Sequence, residues 1–264
     1  MATIPELTNK GLLRVEKTIL PLRFQKDKAL NKLSSDVLIG KNVFTTLGVL
    51  NSRALFLPEH LKRLEIGHQF FFSTPFPAKE LESDINSLDL NDFNSLKITV
   101  FSDFYVFTLK DTPIKDQLRL GLFKKKKADN FFPNNIKHGN YLYRLRQLEF
   151  SQKEGFDDAL ELDKHDLVLE TSIRNIFFYD GKKLVIPSSE LIFQGITIEK
   201  IKGIFDFEQR PISFSELSKF KYAMTCNSVR GIENVTQIGA YQFSLTDEIK
   251  KKYNQFVLDK GTIR

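Results

Sequence analysis

The stretch that most constrains the fold runs from Asp157 to Phe205. DDALELD (157–163) reads as a strand, DKHD as a turn, and VLE resumes a strand. NIFFY (175–179) then faces KLVIP (183–187) across Asp180-Gly181, a strong hairpin signal. Gly195-Ile196-Thr197 follows, and Ile198, Ile201 and Phe205 recur at spacings of three and four, the period of a helix. Strands that feed a helix in this way predict an α/β arrangement. One residue is left over: Glu170, an acid that the hairpin itself does not need.

The same reading extends upstream. VFTTLGVLN (43–51) predicts a strand and turn, and 56–71 a helix with Pro58 in its first turn and Leu61, Leu64 and His68 along one side. AKELESDINSL (78–88) predicts a short amphipathic helix, and 96–110 and 116–123 predict strands. The charge run and Pro-Asn cluster KKKKADNFFPNN break the pattern. We therefore expect a small N-terminal α/β domain (1–123), a linker (124–135) and a larger domain (136–264). In the larger domain, 140–155 is helical and closes on Gly155. Ser213 and Glu216 have capping-box spacing before a further helix, 223–235 is strand and loop, and the C-terminal tail is helical. A crevice between two such domains suits a small molecule.

Composition narrows the partners. The chain has 264 residues and a net charge of +6, with much of the excess in lysine runs such as 124–127 and 250–252. Such runs are usually solvated faces. The 25 phenylalanines lie largely in runs such as 70–76 and 101–107, read as core strands. With no RNA-binding signature beside them, nucleic acid is not the expected partner. A mild positive field favours a small anionic substrate. One cysteine, Cys226, excludes an intrachain disulfide and suits a reducing, cytoplasmic compartment; it reads as a buried small residue. No apolar run reaches the length of a membrane span. His60, His68, His138 and His165 make no metal pattern, so no metal is expected.

Five ordered segments carry a resemblance: FTTLGVLNSRALFLPEHLKRL, IKHGNYLYRLRQLEFSQKEGFDDALELD, LETSIRNIFF, VIPSSELIFQGIT and MTCNSVRGIENV. Together they resemble the fold-type IV (class IV aminotransferase-like) pyridoxal-phosphate enzymes, over about Val43 to Val235. The resemblance implies a two-domain fold like that of D-amino-acid aminotransferase, with mixed sheets, and a homodimer. Lys137 matches the lysine that holds the cofactor as a Schiff base, a role that needs an amine able to be neutral near pH 7. Glu170 matches the carboxylate that pairs with the pyridine nitrogen and keeps the ring an electron sink. Ile196 and Thr197, after Gly195, match the turn whose amides hold the phosphate; free N–H groups at a helix start suit an anion, and an ordinary helix entry is compatible with this. Arg63 and Ser228 match further phosphate ligands, and Asn227 is a neighbouring candidate.

Within the family, the spacing Lys137-His138-Gly139-Asn140 resembles the lyases and the D-amino-acid enzymes rather than the branched-chain ones, and the loop NSVRGI and the pair Thr45-Thr46 are most similar to 4-amino-4-deoxychorismate lyases. These convert 4-amino-4-deoxychorismate to 4-aminobenzoate and pyruvate for folate synthesis. That likeness places Thr46 near the leaving group and lets Arg230 hold a substrate carboxylate or face solvent. An aminotransferase of D- or branched-chain amino acids is the alternative. A degenerate cofactor-binding or basic nucleic-acid-binding protein is the alternative of another class. Lys41, Asn42, Asn234 and Ile198 depart from the family pattern at positions that bear on specificity rather than on the cofactor.

Overall fold

The computed structural model describes residues 3–7, 13–19, 35–124 and 133–261. Contacts divide the chain into two compact units, one of residues 1–113, 136–140 and 260–264, the other of 114–135 and 141–259. This corrects the boundary at 123/124 expected from the sequence pattern. The difference has a physical reason: the strand Gln117–Lys124 finds its partners beyond residue 157, not before it. Residues 125–132 of the expected linker lie outside the described residues.

The first unit is built on a six-stranded antiparallel sheet. In chain order its elements are β1 (Thr3–Leu7), β2 (Leu13–Ile19), α1 (Ser35–Leu38), β3 (Val43–Leu50) and β4 (Arg53–Ala54). α2 (Leu57–Phe71), α3 (Ala78–Asn86), β5 (Ser95–Val100) and β6 (Tyr105–Lys110) complete it. The strand order is β1-β2-β6-β5-β3-β4. α2 begins at Leu57 with the predicted Pro58 in its first turn and buries His60, Leu64, Gly67 and His68, one face of a 3.6-residue period. Gly67 lets that face come close to the sheet, since a Cβ there would lie 2.9 Å from Val43 Cγ1. The run 70–76 is a helix end and loop rather than the expected core strand: Phe72 is buried while Phe70 is half exposed. Residues 136–140 join this unit by running antiparallel beside the start of β3. The Phe44 N–H donates to the Lys137 carbonyl at 2.9 Å, and the Gly139 N–H to the Asn42 carbonyl at 3.0 Å.

The second unit contains β7 (Gln117–Lys124), α4 (Leu142–Lys153), β8 (Asp158–Leu162), β9 (Val168–Thr171), β10 (Asn175–Tyr179) and β11 (Leu184–Pro187). α5 (Ile196–Lys202), β12 (Phe207–Arg210), a 3-10 helix (Phe214–Lys219), β13 (Tyr222–Asn227), β14 (Gly231–Ile238), β15 (Tyr241–Gln242) and α6 (Glu248–Lys260) follow. Its nine-stranded sheet runs β12-β11-β10-β13-β14-β7-β8-β9, with β15 on β14. It is mixed: β7 is parallel to both β8 and β14, and β11 to β12, while the other pairs are antiparallel. The Asp-Gly hairpin joins β10 and β11, with Gly181 in the left-handed region at φ +99° that glycine adopts without strain. The expected helix at 213 is the 3-10 helix, and only half of its capping box forms. Glu216 accepts from the Ser213 N–H and pairs with Arg210, while the Ser213 hydroxyl bonds Ser215 instead. The core joins Leu118, Leu160, Ile176, Phe178, Ala223 and Val235. Cys226 is fully buried, and burial pushes its thiol pKa up. Among the described residues, no helix is long and apolar enough to cross a membrane.

Candidate active site

In the first unit, β3 and α2 bring polar groups together against a sheet otherwise packed with aliphatic and aromatic side chains. Thr45 is buried on β3, and its hydroxyl lies 2.6 Å from Nδ1 of the buried His60. Burial first, then the charges of Arg63 and Lys137, hold the His60 pKa well below that of a free imidazole. The ring is therefore neutral beside two cations. Burial lowers the Arg63 guanidinium to about 10. Lys137 Nζ lies 5.2 Å from the centroid of the Phe44 ring, and Lys97 Nζ lies 4.6 Å from the same centroid. Alternation along β3 puts Thr46 on the opposite side of the strand from Thr45, half buried and paired in register with Lys97. The structure thus brings Arg63 and Lys137 near His60 and Thr45, while Lys97 shares the Phe44 ring with Lys137; no motif assigns His60, Thr45 or Lys97 to the cofactor.

In the second unit, the site is built at the end of β9 and the start of β10. Glu170, 3% exposed, takes three donors. Arg144 Nη2 donates to Oε1 at 2.5 Å and the Phe193 N–H to the same oxygen at 3.1 Å, while Asn175 Nδ2 reaches Oε2 at 3.3 Å. Arg144 also donates through Nη1 to the Thr171 carbonyl at 3.2 Å. Burial alone would lower the Arg144 pKa, but Glu170, then Tyr141 and Glu161, outweigh it and hold the guanidinium above its ordinary value. Tyr141 is placed over the strand end, its hydroxyl 3.5 Å from the Ser172 carbonyl, and burial raises its phenol to about 12. Asn175 Nδ2 also donates to the Phe193 carbonyl at 2.7 Å, so a single amide ties the carboxylate to the loop that leads into α5.

That loop ends at Gly195, where a Cβ would stand 2.1 Å from Asn175 Oδ1, so any other residue must displace the Asn175 amide. α5 starts immediately after it, and the Thr197 hydroxyl lies 3.4 Å from the Ser228 hydroxyl. The Tyr253 phenol shares a hydrogen bond with Thr197, yet burial dominates and holds its pKa above the usual range. Ser228 follows β13 in a turn made by Asn227, whose Oδ1 accepts from the Val229 and Arg230 amides at 3.1 and 2.9 Å. Asn227 Nδ2 donates to the Ile173 carbonyl at 3.3 Å. The Asn227 side chain is thus engaged by its own turn, while Ser228 joins Thr197. Arg230 is half buried in the same turn.

Beneath Glu170 lies a second charge network. Arg174, on the turn between β9 and β10, donates through Nε to Glu233 at 2.6 Å and through Nη1 to Asp158 at 2.8 Å. Burial opposes its charge, but Asp158 and Glu233 hold its pKa above the ordinary value. Among the described residues, no group of His, Cys, Asp or Glu is arranged to hold a metal.

A tight loop leading into a helix and a buried acid in the second unit, with a lysine and a half-buried arginine in the first, point to a class of protein. Residues 42–238 match the amino-transferase class IV family, and the chain belongs to it. Members of that family use pyridoxal phosphate. A probable branched-chain-amino-acid aminotransferase of Rickettsia felis is 22% identical over 152 residues, 53% of this chain and 52% of that protein. The curated relatives it matches are covered over only 21% and 52% of their length. In fold, the chain is similar to the PLP-bound form of a hypothetical aminotransferase from Mycobacterium tuberculosis. The TM-score is 0.73 at 15% identity, over 95% of this chain and 97% of the other. A Legionella pneumophila protein provisionally named 4-amino-4-deoxychorismate lyase aligns with a TM-score of 0.69 at 18% identity, over 87% and 94% of the two chains.

Proposed function

We propose that this chain is a pyridoxal-phosphate lyase that converts 4-amino-4-deoxychorismate to 4-aminobenzoate and pyruvate. The observation that carries the cofactor part of the reading is the arrangement around Glu170. An acid this deeply buried needs donors. Oε1 has two, whereas Oε2 has only the long Asn175 bond and retains acceptor capacity suited to a ring N–H. The close approach of backbone at Gly195 and the paired Thr197 and Ser228 hydroxyls fit a phosphate, as does a half-buried arginine at 63. The residues therefore fit the group. Lys137 would attach it, Glu170 would face the ring nitrogen, and Ile196, Thr197, Ser228 and Arg63 would hold the phosphate. When bound, the cofactor supplies an electron sink.

The chain's own groups supply the rest. With the cofactor in place, Lys137 Nζ would be the base that accepts the proton from the substrate ring carbon as the ring aromatises. Arg63 and Lys97, with Lys137, make the first unit's site cationic, which suits a substrate bearing carboxylates. Thr46, opposite Lys97 in register, lies on the strand face suited to contact the departing group, and Arg230 is a further carboxylate partner. The lysine-to-asparagine spacing 137–140 argues against a branched-chain enzyme, and the loop NSVRGI with Thr45-Thr46 supports the lyase over an aminotransferase. Aminotransfer is the second reading, favoured by the name of the Rickettsia relative.

An absorbance spectrum of the protein with pyridoxal phosphate, and of its Lys137→Ala variant, tests the assignment. A visible band that depends on Lys137 is expected. A band lost on adding L- or D-amino acids, with 2-oxo acid formed, would mean aminotransfer. Release of 4-aminobenzoate from 4-amino-4-deoxychorismate would mean the lyase. No band, or one that survives Lys137→Ala, would refute both.

A further inference from the structure

We infer that Arg144 is a positioning residue that acts on the cofactor through Glu170, holding one carboxylate oxygen and reserving the other for the ring nitrogen. The inference rests on the reading of Glu170 given above and adds a residue to it.

The geometry is asymmetric. Oε1 accepts from Arg144 Nη2 at 2.5 Å and from the Phe193 amide at 3.1 Å, which occupies that oxygen from two directions. Oε2 has only Asn175 Nδ2, at 3.3 Å, and that amide makes a shorter bond of 2.7 Å to the Phe193 carbonyl. The arginine cannot easily rotate away, because its other nitrogen is tied to the Thr171 carbonyl on the same strand. The side chains are 21% and 4% exposed, so water competes little for the bond, and a charge-assisted bond in such a place fixes geometry strongly. Arg144 lies on the first turn of α4, so the helix that follows the lysine segment also supplies the clamp for the acid.

A cation beside an acid could simply stabilise the fold, so the test must separate positioning from packing. The measurement is the dissociation constant, by equilibrium dialysis, of pyridoxal phosphate and of its 1-deaza analogue, which carries carbon in place of the ring nitrogen. The proteins compared are the unaltered chain, Arg144→Met, Arg144→Lys, Glu170→Ala and the double variant Arg144→Met/Glu170→Ala. Arg144→Met is expected to weaken pyridoxal phosphate at least ~10-fold and the deaza analogue less than about 2-fold, since loss of one charge-assisted bond is of that order. Arg144→Lys should recover most of the loss, and Arg144→Met should add nothing to Glu170→Ala. Equal weakening of both ligands by Arg144→Met, or no weakening of pyridoxal phosphate, overturns the inference. Should Arg144→Met not fold, failure of the folded Arg144→Lys variant to bind pyridoxal phosphate more tightly than Glu170→Ala does overturns it equally. If Glu170→Ala itself fails to distinguish the two ligands, the assignment of Glu170 falls and the inference with it, an outcome distinct from failure of the arginine variants alone.

Discussion

Replacing Arg174 by Met would strip the countercharge from two buried carboxylates at once. The side chains of Asp158 and Glu233 are 0% exposed and that of Arg174 is 5% exposed, so water cannot replace the lost partner. The two bonds are short, 2.8 and 2.6 Å, and both are charge-assisted. Removing one member of a buried ion pair costs about 3–5 kcal/mol, chiefly because the remaining charge stays desolvated. A domain of this size loses about 2–4 °C of melting temperature per kcal/mol, which places the expected fall at about 6–20 °C. Differential scanning calorimetry of the second unit's transition is the assay. The triple variant Arg174→Met/Asp158→Asn/Glu233→Leu removes the charges together and should recover a large part of the loss. A fall below ~3 °C for Arg174→Met alone would refute the reasoning.

His60 is held neutral in the folded chain, whereas an unfolded histidine titrates near its ordinary value of about 6.5. The unfolded state therefore binds the extra proton first, and the stability His60 contributes is present above that pH and lost as pH falls below it. In chemical denaturation between pH 7 and 5, His60→Gln should reduce the slope of unfolding free energy by up to about 1.4 kcal/mol per pH unit; an unchanged slope would count against a neutral buried His60. Gly195→Ala should displace Asn175, since the new Cβ would meet its Oδ1 at 2.1 Å, and so weaken binding of pyridoxal phosphate at least ~10-fold; dialysis showing unchanged affinity would place that glycine outside the cofactor site. Leu142, Leu145 and Phe150 are exposed on α4, and we propose that a second copy of the chain covers them. Sedimentation should show a dimer that Leu145→Glu dissociates, and a monomer at micromolar concentration would exclude this.

Much of the fold can be read from local pattern. The Asp180-Gly181 hairpin and the α2 helix after Pro58 form as expected because turn chemistry and helical spacing act over a few residues. Pattern alone assigns β7 to the wrong unit because its partners, β8 and β14, lie far along the chain, and alternation in Leu118, Leu120 and Leu122 names no partner. The same applies at the site. Lys137, Glu170 and the Gly-Ile-Thr turn belong to motifs that can be recognised in sequence. Arg144 is 26 residues from Glu170, and Arg174 is 59 from Glu233, so in sequence these arginines look like ordinary helix and turn residues. At Ser213 the local signal misleads in part, because the Ser213 hydroxyl bonds Ser215 instead of the amide that would complete the cap.

The lysine segment also bears on how the protein is made. Ile136–Asn140 belongs to the first unit yet is flanked on both sides by residues of the second, and Gly261 completes the first unit by accepting from the Phe56 amide at 3.1 Å. During synthesis the strands up to β6 emerge early, but they must wait for the lysine segment, and then for the whole second unit, before their last partner arrives. A fragment ending at Pro113 would contain every strand of that sheet but lack Lys137, and the second unit released by the same cut would carry that lysine away from β3. Neither half could be exchanged for a homologous one by a single crossover, so recombination within this chain preserves the lysine's setting only when it replaces both ends of the first unit together.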